Sequence, residues 1–574
     1  MSNEIKEKTV KNGKSFIREA VILTFANFAV KIIGVVFKIP LTNILGDSIG
    51  VFTAAYSIYA MLFMLSTSGL PVAVSKLVSA SNEKGRGREA KRITLLATLV
   101  FGLLGLLFTV ALIVFAPDIA RLTNHTESVT AMRVIAPSLF FICVCSAIRG
   151  YFQGLRNMNP TAISQFIEAF FKFAVGIGAV VYAKNLGASI PVQAGCAISG
   201  VTVGSILGTV FTLIYLKFSK KTVLNDTDKT VESDKTLLKL IMVVALPVTF
   251  TAATLYFSQF LDTLVIVNCL VDSGESKEVA QTLFSAYTGL SVPIYDLFPS
   301  TLIFPIGISI LPAVSGALAV KKARTAGKLT TQAIRISAII AIPCGTFLFV
   351  AGRSCISLIY GVDNWSETLS MASGSGLLPI DAAGNALAVL AFATFFISVV
   401  SICNALLNAY GKAHLPSISV LVGIGVLVVS EVLLLRSPVG IYGAPASSVI
   451  CYFAVMILDM WFIRKYCGVK LNPISLFGRP LLGGLVCGGV TYLAYSGSVA
   501  MWKSCFASAW DSRLASLVIL LVTGITMVVT YAASLILFKG IKEDEVRLLP
   551  FGNWLASRLL RLGWIKPSEE IIEE

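Results

Sequence analysis

Apolar runs of some twenty residues or more, each closed by charged or turn-forming residues, recur along the chain from near position 20 to near position 538. A helix rising about 1.5 Å per residue needs about 20 such residues to cross roughly 30 Å of hydrocarbon. The pattern therefore predicts transmembrane helices in series. Reading the breaks places spans at 20–45, 51–79, 93–116, 131–154, 161–184, 192–217, 239–269, 279–318, 329–352, 386–410, 415–436, 441–464, 480–500 and 514–538. The second and eighth runs are long enough to be tilted or broken. The expected class is an all-α polytopic membrane protein with about 14 transmembrane helices.

Composition agrees and charge adds direction. Only 13% of residues are charged and 56% are apolar, with mean hydropathy +0.83, where soluble domains carry roughly 25% charge. The 574 residues therefore count spans rather than soluble domains. Of 46 Lys and Arg, 34 fall on the side shared by the N-terminus, 8 on the other side and 4 within spans. The positive-inside rule then puts the N- and C-termini in the cytoplasm. Basic segments such as Lys84-Gly85-Arg86-Gly87-Arg88 and Lys321-Lys322-Ala323-Arg324 face an anionic leaflet. The net charge of +15 thus requires no nucleic acid. Met1 to Arg18 is polar and basic, without the apolar core of a cleaved signal, so the first span is expected to direct insertion. Residues 218–238 read as a cytoplasmic linker, and Tyr360 to Gly384 is the longest outer connection. Over 543–562, Val546, Leu549, Trp554, Leu555, Leu559 and Leu562 alternate with Arg547, Arg558 and Arg561. This tail is either an interfacial amphipathic helix or a short solvated end.

The chain repeats itself. AMRVIAPSLFFICVCS from 131 matches ALAVLAFATFFISVVS from 386 at eight of sixteen positions, and each run leads through a polar turn to a proline, Pro160 or Pro416. Pro71-Val-Ala-Val-Ser75-Lys-Leu77 likewise matches Pro305-Ile-Gly-Ile-Ser309-Ile-Leu311. Six spans, an even number, separate the matched segments. The halves therefore share one orientation, as two parallel six-helix repeats plus two C-terminal helices, with the substrate site expected between the halves. This gives an N-terminal lobe over 1–217, a C-terminal lobe over 239–464 and the last two helices over 480–538.

Charges inside spans are costly, about 2.5–3.5 kcal/mol each near the centre, so each needs a partner or a wet cavity. Lys31 and Lys38 lie two helical turns apart on one face of the first span, with Lys31 too deep to reach the interface easily. They are expected to form a cationic wall of a cavity, or else to pair with carboxylates. Glu168 and Lys172 have the favourable i,i+4 order and either neutralise each other or line the same cavity. Asp262 and Asp296 lack local partners; they answer Lys31 or Lys38 or carry a coupling cation. Glu431 has Arg436 near it in sequence. Breaks at Ser66-Thr67-Ser68-Gly69-Leu70-Pro71 and at Pro293, Pro299 and Pro305 occupy matching places in the two halves, which points to gating or binding, with an ordinary proline kink as the alternative.

Several chemistries have nothing to stand on. There is no phosphate-cradling G-x-x-x-x-G-K-[ST] sequence, and His125 and His414 fall near span ends. The eleven cysteines sit mostly in apolar runs as small filler, for example Cys143, Cys145, Cys196, Cys269 and Cys487, without metal-ligand spacing. A transporter is expected, not an enzyme, with no cofactor and no metal.

Two segments carry a family resemblance. Arg149-Gly-Tyr-Phe-Gln153-Gly-Leu-Arg156-Asn-Met-Asn-Pro160-Thr-Ala-Ile-Ser-Gln165-Phe-Ile-Glu168 and Ser68-Gly-Leu-Pro-Val-Ala-Val-Ser-Lys-Leu-Val78 resemble the stage V sporulation protein B and lipid II flippase (MurJ-like) group. That group belongs to the multidrug/oligosaccharidyl-lipid/polysaccharide (MOP) exporter superfamily, and the resemblance covers essentially the whole chain. It implies two six-helix lobes around a cationic cavity, two further helices bordering a groove for a polyprenyl tail, and alternating access. The implied cargo is an undecaprenyl-pyrophosphate-linked saccharide, lipid II or another cell-envelope precursor. On this reading Lys31, Lys38, Arg149, Gln153, Gln165, Glu168 and Lys172 are the substrate-binding set. Asp262, Asp296, Pro71 and Pro305 serve coupling or gating, with coupling to the membrane potential, Na+ or H+. The protein is expected to act as a monomer among membrane lipids. Lysines stand at 31 and 38 where the lipid II flippase pattern has arginines, and Tyr287-Thr288-Gly289 stands where its eighth span has another. The rival reading is a cation-coupled multidrug exporter, with Asp262 and Asp296 binding the cation.

Overall fold

The structure is a computed structural model that describes residues 29–30, 33–34, 36–155, 157–219, 228, 230–319, 321–361, 379–505 and 513–538, with isolated tail positions 543, 557–558 and 561. Lys31, most of the 543–562 tail and residues 362–378 of the outer connection lie outside the described residues. Every element among the described residues is helical. Eleven of the helices are long and apolar enough to cross a membrane. Their outward faces confirm the solvent they need. Along the fourth helix Leu99, Leu103, Leu107, Val110 and Val114 are exposed at helical spacing, where a soluble protein would place polar residues.

The chain divides into two compact units, Met1–Asn268 and Cys269–Glu574. In the first, α1 is Val36–Leu45, α2 Ile49–Thr67, α3 Gly69–Glu83 and α4 Gly87–Leu122. They are followed by α5 Val129–Ile135, α6 Pro137–Gly154, α7 Asn159–Asn185, α8 Ile190–Phe218 and α9 Asp234–Asp272. The break foreseen in the second span separates α2 from α3. Thr67 and Ser68 hydroxyls donate back to the Phe63 and Met64 carbonyls, at 2.6 and 2.8 Å. A Cβ on Gly69 would lie 2.1 Å from the Ala245 carbonyl oxygen, so only glycine lets α3 begin against α9. There the Gly69 N–H donates to Thr249 Oγ1 at 3.2 Å. The core joins Leu70, Val74 and Val78 of α3 to Ile93 and Phe101 of α4, Ile148 and Phe152 of α6, and Leu237, Ile241 and Ala245 of α9. The seventh span, which sequence order gives to the second lobe, therefore packs in this unit.

The second unit continues with α10 Lys277–Ser285, α11 Val292–Phe298, α12 Phe304–Ala319, α13 Ala323–Tyr360 and α14 Pro379–Ala409. Next come α15 His414–Leu435, α16 Gly443–Tyr466, α17 Arg479–Cys505 and α18 Arg513–Leu537. The eighth span is interrupted as its prolines foretell: π-helical turns at Ala286–Ser291 and Pro299–Ile303 flank α11. Pairings recur between the units. α3 packs on α4 and α6 as α12 packs on α13 and α14; α6 packs on α8 as α14 does on α16; α7 pairs with α8 as α15 does with α16. The duplication read from the sequence is thus a duplication of packing. α17 and α18 stand outside it and dock on α13, burying Cys487, Tyr531 and Leu535 against Ile339 and Ile342.

On the basic side of the first unit, the linker is held to the α3–α4 turn. Gly85, at φ +73°, turns the chain and its carbonyl accepts the Asp228 N–H at 2.9 Å. Arg86 Nε donates to Asp228 at 2.9 Å, Glu89 accepts the Glu232 N–H at 3.0 Å, and Arg92 makes a two-point contact with Asp234 at 2.6 and 2.9 Å. The Thr230 N–H and then Arg86 hold the Asp228 carboxyl down at about 2.

Candidate functional site

α7 carries two of the charges of interest, and α8 explains their posture. Gly200, Gly204 and Gly208 recur every fourth residue along α8, facing α7. A Cβ on Gly200 would lie 2.4 Å from the Lys172 carbonyl oxygen, and one on Gly204 would lie 2.6 Å from that of Glu168. Those two glycines let the backbones touch, as small residues do between membrane helices. A Cβ on Gly208 would instead meet Glu168 Cγ and Oε1, both at 2.8 Å. The missing side chain there opens a gap, and the Glu168 carboxylate turns into it.

In the gap Glu168 Oε1 accepts a hydrogen bond from Arg149 of α6 at 2.9 Å and faces Cys145 Sγ at 3.9 Å. Arg149 Nε donates to Ser164 Oγ at 2.8 Å, and Thr212 Oγ1 donates to Cys145 at 3.7 Å. The Arg149 and Glu168 side chains are only 8% and 21% exposed, so deleting either would strand the other at a cost of about 3–5 kcal/mol.

Lys172, one turn further along α7, takes no share of that carboxylate. Its Nζ lies 5.1 Å from the Phe37 ring centre and 4.9 Å from that of Tyr56. Among the described residues it has no carboxylate partner. The i,i+4 spacing that would let Glu168 and Lys172 neutralise each other is not used that way; Glu168 spends its charge on Arg149. Phe52 stacks on Tyr56 at 5.9 Å and tilts against Phe37 at 6.2 Å, so the rings under Lys172 belong to a packed aromatic cluster of α1 and α2.

The two motifs singled out in the sequence pack on each other. Cβ atoms on Gly150 and Gly154 would fall 3.0 Å from Pro71 Cα and 2.7 Å from the Ser75 carbonyl oxygen. One face of the α6 motif therefore seats α3 while Arg149 reaches α7. Gln153 Nε2 lies 3.4 Å from Thr161 Oγ1, and Gln165 Oε1 is buried with no hydrogen-bond partner among the described residues. Lys38 is half-buried on α1. Asp262 of α9 is half-buried, and its Oδ1 has no hydrogen-bond partner among the described residues; its neighbour Thr263 meets Ser57 of α2 at 2.8 Å. Asp296 lies exposed on α11 between the two π turns, and Pro305 lies in α12. Arg436 pairs with Asp272 at 2.9 Å. Among the described residues no group of three or more His, Cys, Asp and Glu could hold a metal ion.

Sequence reasoning missed the aromatic bed of Phe37 and Tyr56, the glycine row on α8, and a buried carboxyl on α16. Asp459 is fully buried; Ser419 donates to one oxygen and the other has no partner among the described residues. A lone Asp in the apolar run 441–464 was its signal, and G-x-x-x-G-x-x-x-G over 200–208 was the signal for the glycine row.

Comparison with known proteins agrees with this architecture. Stage V sporulation protein B of Bacillus subtilis (strain 168) is 24% identical over 551 residues, covering 94% of this chain and 98% of that protein. The lipid II flippase MurJ of the same strain is 23% identical over 492 residues, covering 82% and 88%. A solved structure of lipid II flippase MurJ in an inward closed conformation superposes with TM-score 0.64 at 14% identity, covering 90% of this chain and 99% of that one. The matches uphold the resemblance drawn from the two motifs, and they set the chain among multi-pass bacterial membrane exporters rather than enzymes. The family profile described as polysaccharide biosynthesis protein matches residues 16–317, the region that holds α1 to α9 and the Arg149–Glu168–Lys172 arrangement, and the chain belongs to that family.

Proposed function

We propose that this protein is an alternating-access flippase that exports an undecaprenyl-pyrophosphate-linked saccharide, lipid II or another cell-envelope precursor. One observation carries the reading: within a membrane-spanning helix the Lys172 ammonium lies over two aromatic rings, clear of a carboxylate only four residues away. A cation–π contact is worth about 0.5–2 kcal/mol. It can be exchanged for the stronger charge-assisted hydrogen bond that a phosphate oxygen offers. A cationic drug would meet repulsion at the same place. Lys31 and Lys38 are proposed to add to this charge. The stage V sporulation protein B and lipid II flippase relatives support a lipid-linked cargo. We also propose fourteen spans, both termini cytoplasmic, and a monomer.

A second reading, a cation-coupled multidrug exporter, draws on the buried Oδ1 of Asp262. In the flippase reading that carboxyl serves coupling to Na+, H+ or the membrane potential. The deciding experiment is growth of cells depleted of their own lipid II flippase, with reconstituted flipping of a polyprenyl-pyrophosphate saccharide beside it. Growth and flipping that depend on Lys172 support the flippase. Binding of organic cations that needs Asp262, without polyprenyl lipid binding, overturns it.

A further inference from the structure

Glu168 and Lys172 sit in the register that favours an ion pair within one helix, yet that pair is not formed. Two features outside α7 prevent it. Gly208 leaves the gap into which the Glu168 side chain turns, and Arg149, anchored on Ser164, grips the carboxylate there at 2.9 Å. We infer that Arg149 is a positioning residue: it holds Glu168 against α8 so that the Lys172 ammonium stays available to an anionic headgroup. The inference rests on the flippase reading for the identity of the anion, but the restraint of Glu168 can be measured without any substrate. In this arrangement Glu168 is a latent inhibitor of the site. Released from Arg149, it lies one turn from Lys172 with no other cation of α7 within a turn, and it neutralises the charge the substrate needs.

The arrangement makes an ordering of variants that simple loss of packing does not. The rate at which acetic anhydride modifies Lys172 in the purified full-length protein, read by peptide mass spectrometry, reports how far the ammonium is held by a carboxylate. A carboxylate that pairs with an ammonium favours its charged form, and acetic anhydride reacts only with the neutral amine. Arg149→Gln should slow modification about tenfold or more, and the double variant Arg149→Gln, Glu168→Gln should restore the wild-type rate. Gly208→Ala reaches the same end without touching Arg149: the three atoms nearest its Cβ, at 2.8–3.2 Å, all belong to the Glu168 side chain and none is backbone. It too should slow Lys172, with rescue by Glu168→Gln. Binding of undecaprenyl pyrophosphate by native mass spectrometry should follow the same order. An unchanged rate in both Arg149→Gln and Gly208→Ala overturns the inference, as does failure of Glu168→Gln to rescue either, or a Lys172 already inert in the wild type. If the reactivity order holds while no variant binds the lipid, the positioning role stands and the lipid-linked substrate falls.

Discussion

Gly200→Ala tests the contact on which the candidate site is built. The new Cβ would lie 2.4 Å from the Lys172 carbonyl oxygen, 2.6 Å from the Gly176 nitrogen and 2.8 Å from Gly176 Cα. All three are backbone atoms, so no side chain can swing aside. To bring the oxygen contact to 3.0–3.4 Å the two helices must part locally by roughly 0.6 to 1 Å. Overpacking of this kind costs about 1–3 kcal/mol, and at about 1.4 kcal/mol per tenfold the folding equilibrium should fall by about 5- to 150-fold. Gly178→Ala, on the facing helix α7, is the control: nothing lies within 4 Å of its Cβ. Its effect should stay within about 1 kcal/mol of wild type, on the stabilising side if helix propensity dominates.

The assay is SDS-induced unfolding in mixed micelles followed by circular dichroism, with both variants and the wild type at equal protein concentration. Because Lys172 itself supplies the clashing carbonyl, the same displacement should shift its ammonium off the Phe37 and Tyr56 rings and weaken undecaprenyl pyrophosphate binding. Equal unfolding midpoints for Gly200→Ala and Gly178→Ala would show that α7 and α8 do not meet backbone to backbone, and the reasoning on Glu168 and Lys172 would lose its frame.

Three further outcomes are expected. Lys172→Gln should abolish complementation of a flippase-depleted strain while the protein remains folded and membrane-bound, and Lys172→Arg should retain activity; full growth with Lys172→Gln refutes the role. The linker clasp should survive mild acid. Asp228 titrates at about 2, below the ordinary 3.8, so its contribution is complete above that ordinary value and is lost only as pH falls through about 2. Hydrogen-exchange protection of the Asp228 and Thr230 amides, corrected for intrinsic rate, should therefore match at pH 7 and pH 5 and drop in Arg86→Ala; loss at pH 5 contradicts the assignment. Cysteine at Ser48 should react with an impermeant thiol reagent from outside the cell and cysteine at Lys321 only after permeabilisation; the reverse pattern inverts the proposed orientation.

The fold was legible because a bilayer imposes one rule on every span. Length and apolarity found the helices, and breaks at Ser68-Gly69 and at Pro293 and Pro299 appear as a helix junction and π turns. Backbone groups freed within a membrane must be re-satisfied locally, which confines such breaks to residues that leave a mark on the sequence. The site was less legible because charge partners are chosen across helices. Glu168 had a candidate four residues away, and the true partner lies on α6, 19 residues earlier. No local spacing rule could rank Arg149 above Lys172. The choice was made by Gly208, forty residues on, and a glycine in an apolar run becomes informative only once the helix facing it is known. Asp459 differs: its isolation in an apolar run was visible, and only its Ser419 partner required the structure.

The repeat sharpens what the charges mean. Glycine relieves the α3–α6 crossing from α6, at Gly150, whereas at the matching crossing Gly307 of α12 faces Ala405, the counterpart of Gly150. The two halves thus meet the same packing demand from opposite partners, as expected of copies that diverged under one architectural constraint. The charged residues did not survive in both. Aligned on the first match, Asn404 stands where Arg149 does; aligned on Pro160 and Pro416, Ile424 and Val428 stand for Glu168 and Lys172. Asn404 keeps a polar group at the vacated place, with its Oδ1 buried and unpartnered among the described residues. The second half joins α14, α15 and α16 through apolar residues together with the buried Ser419–Asp459 hydrogen bond, a carboxyl held by a hydroxyl rather than by an arginine. The first half instead retains a desolvated ion pair, which seldom stabilises more than apolar packing does. Holding one carboxylate off one lysine is a reason other than folding to keep it.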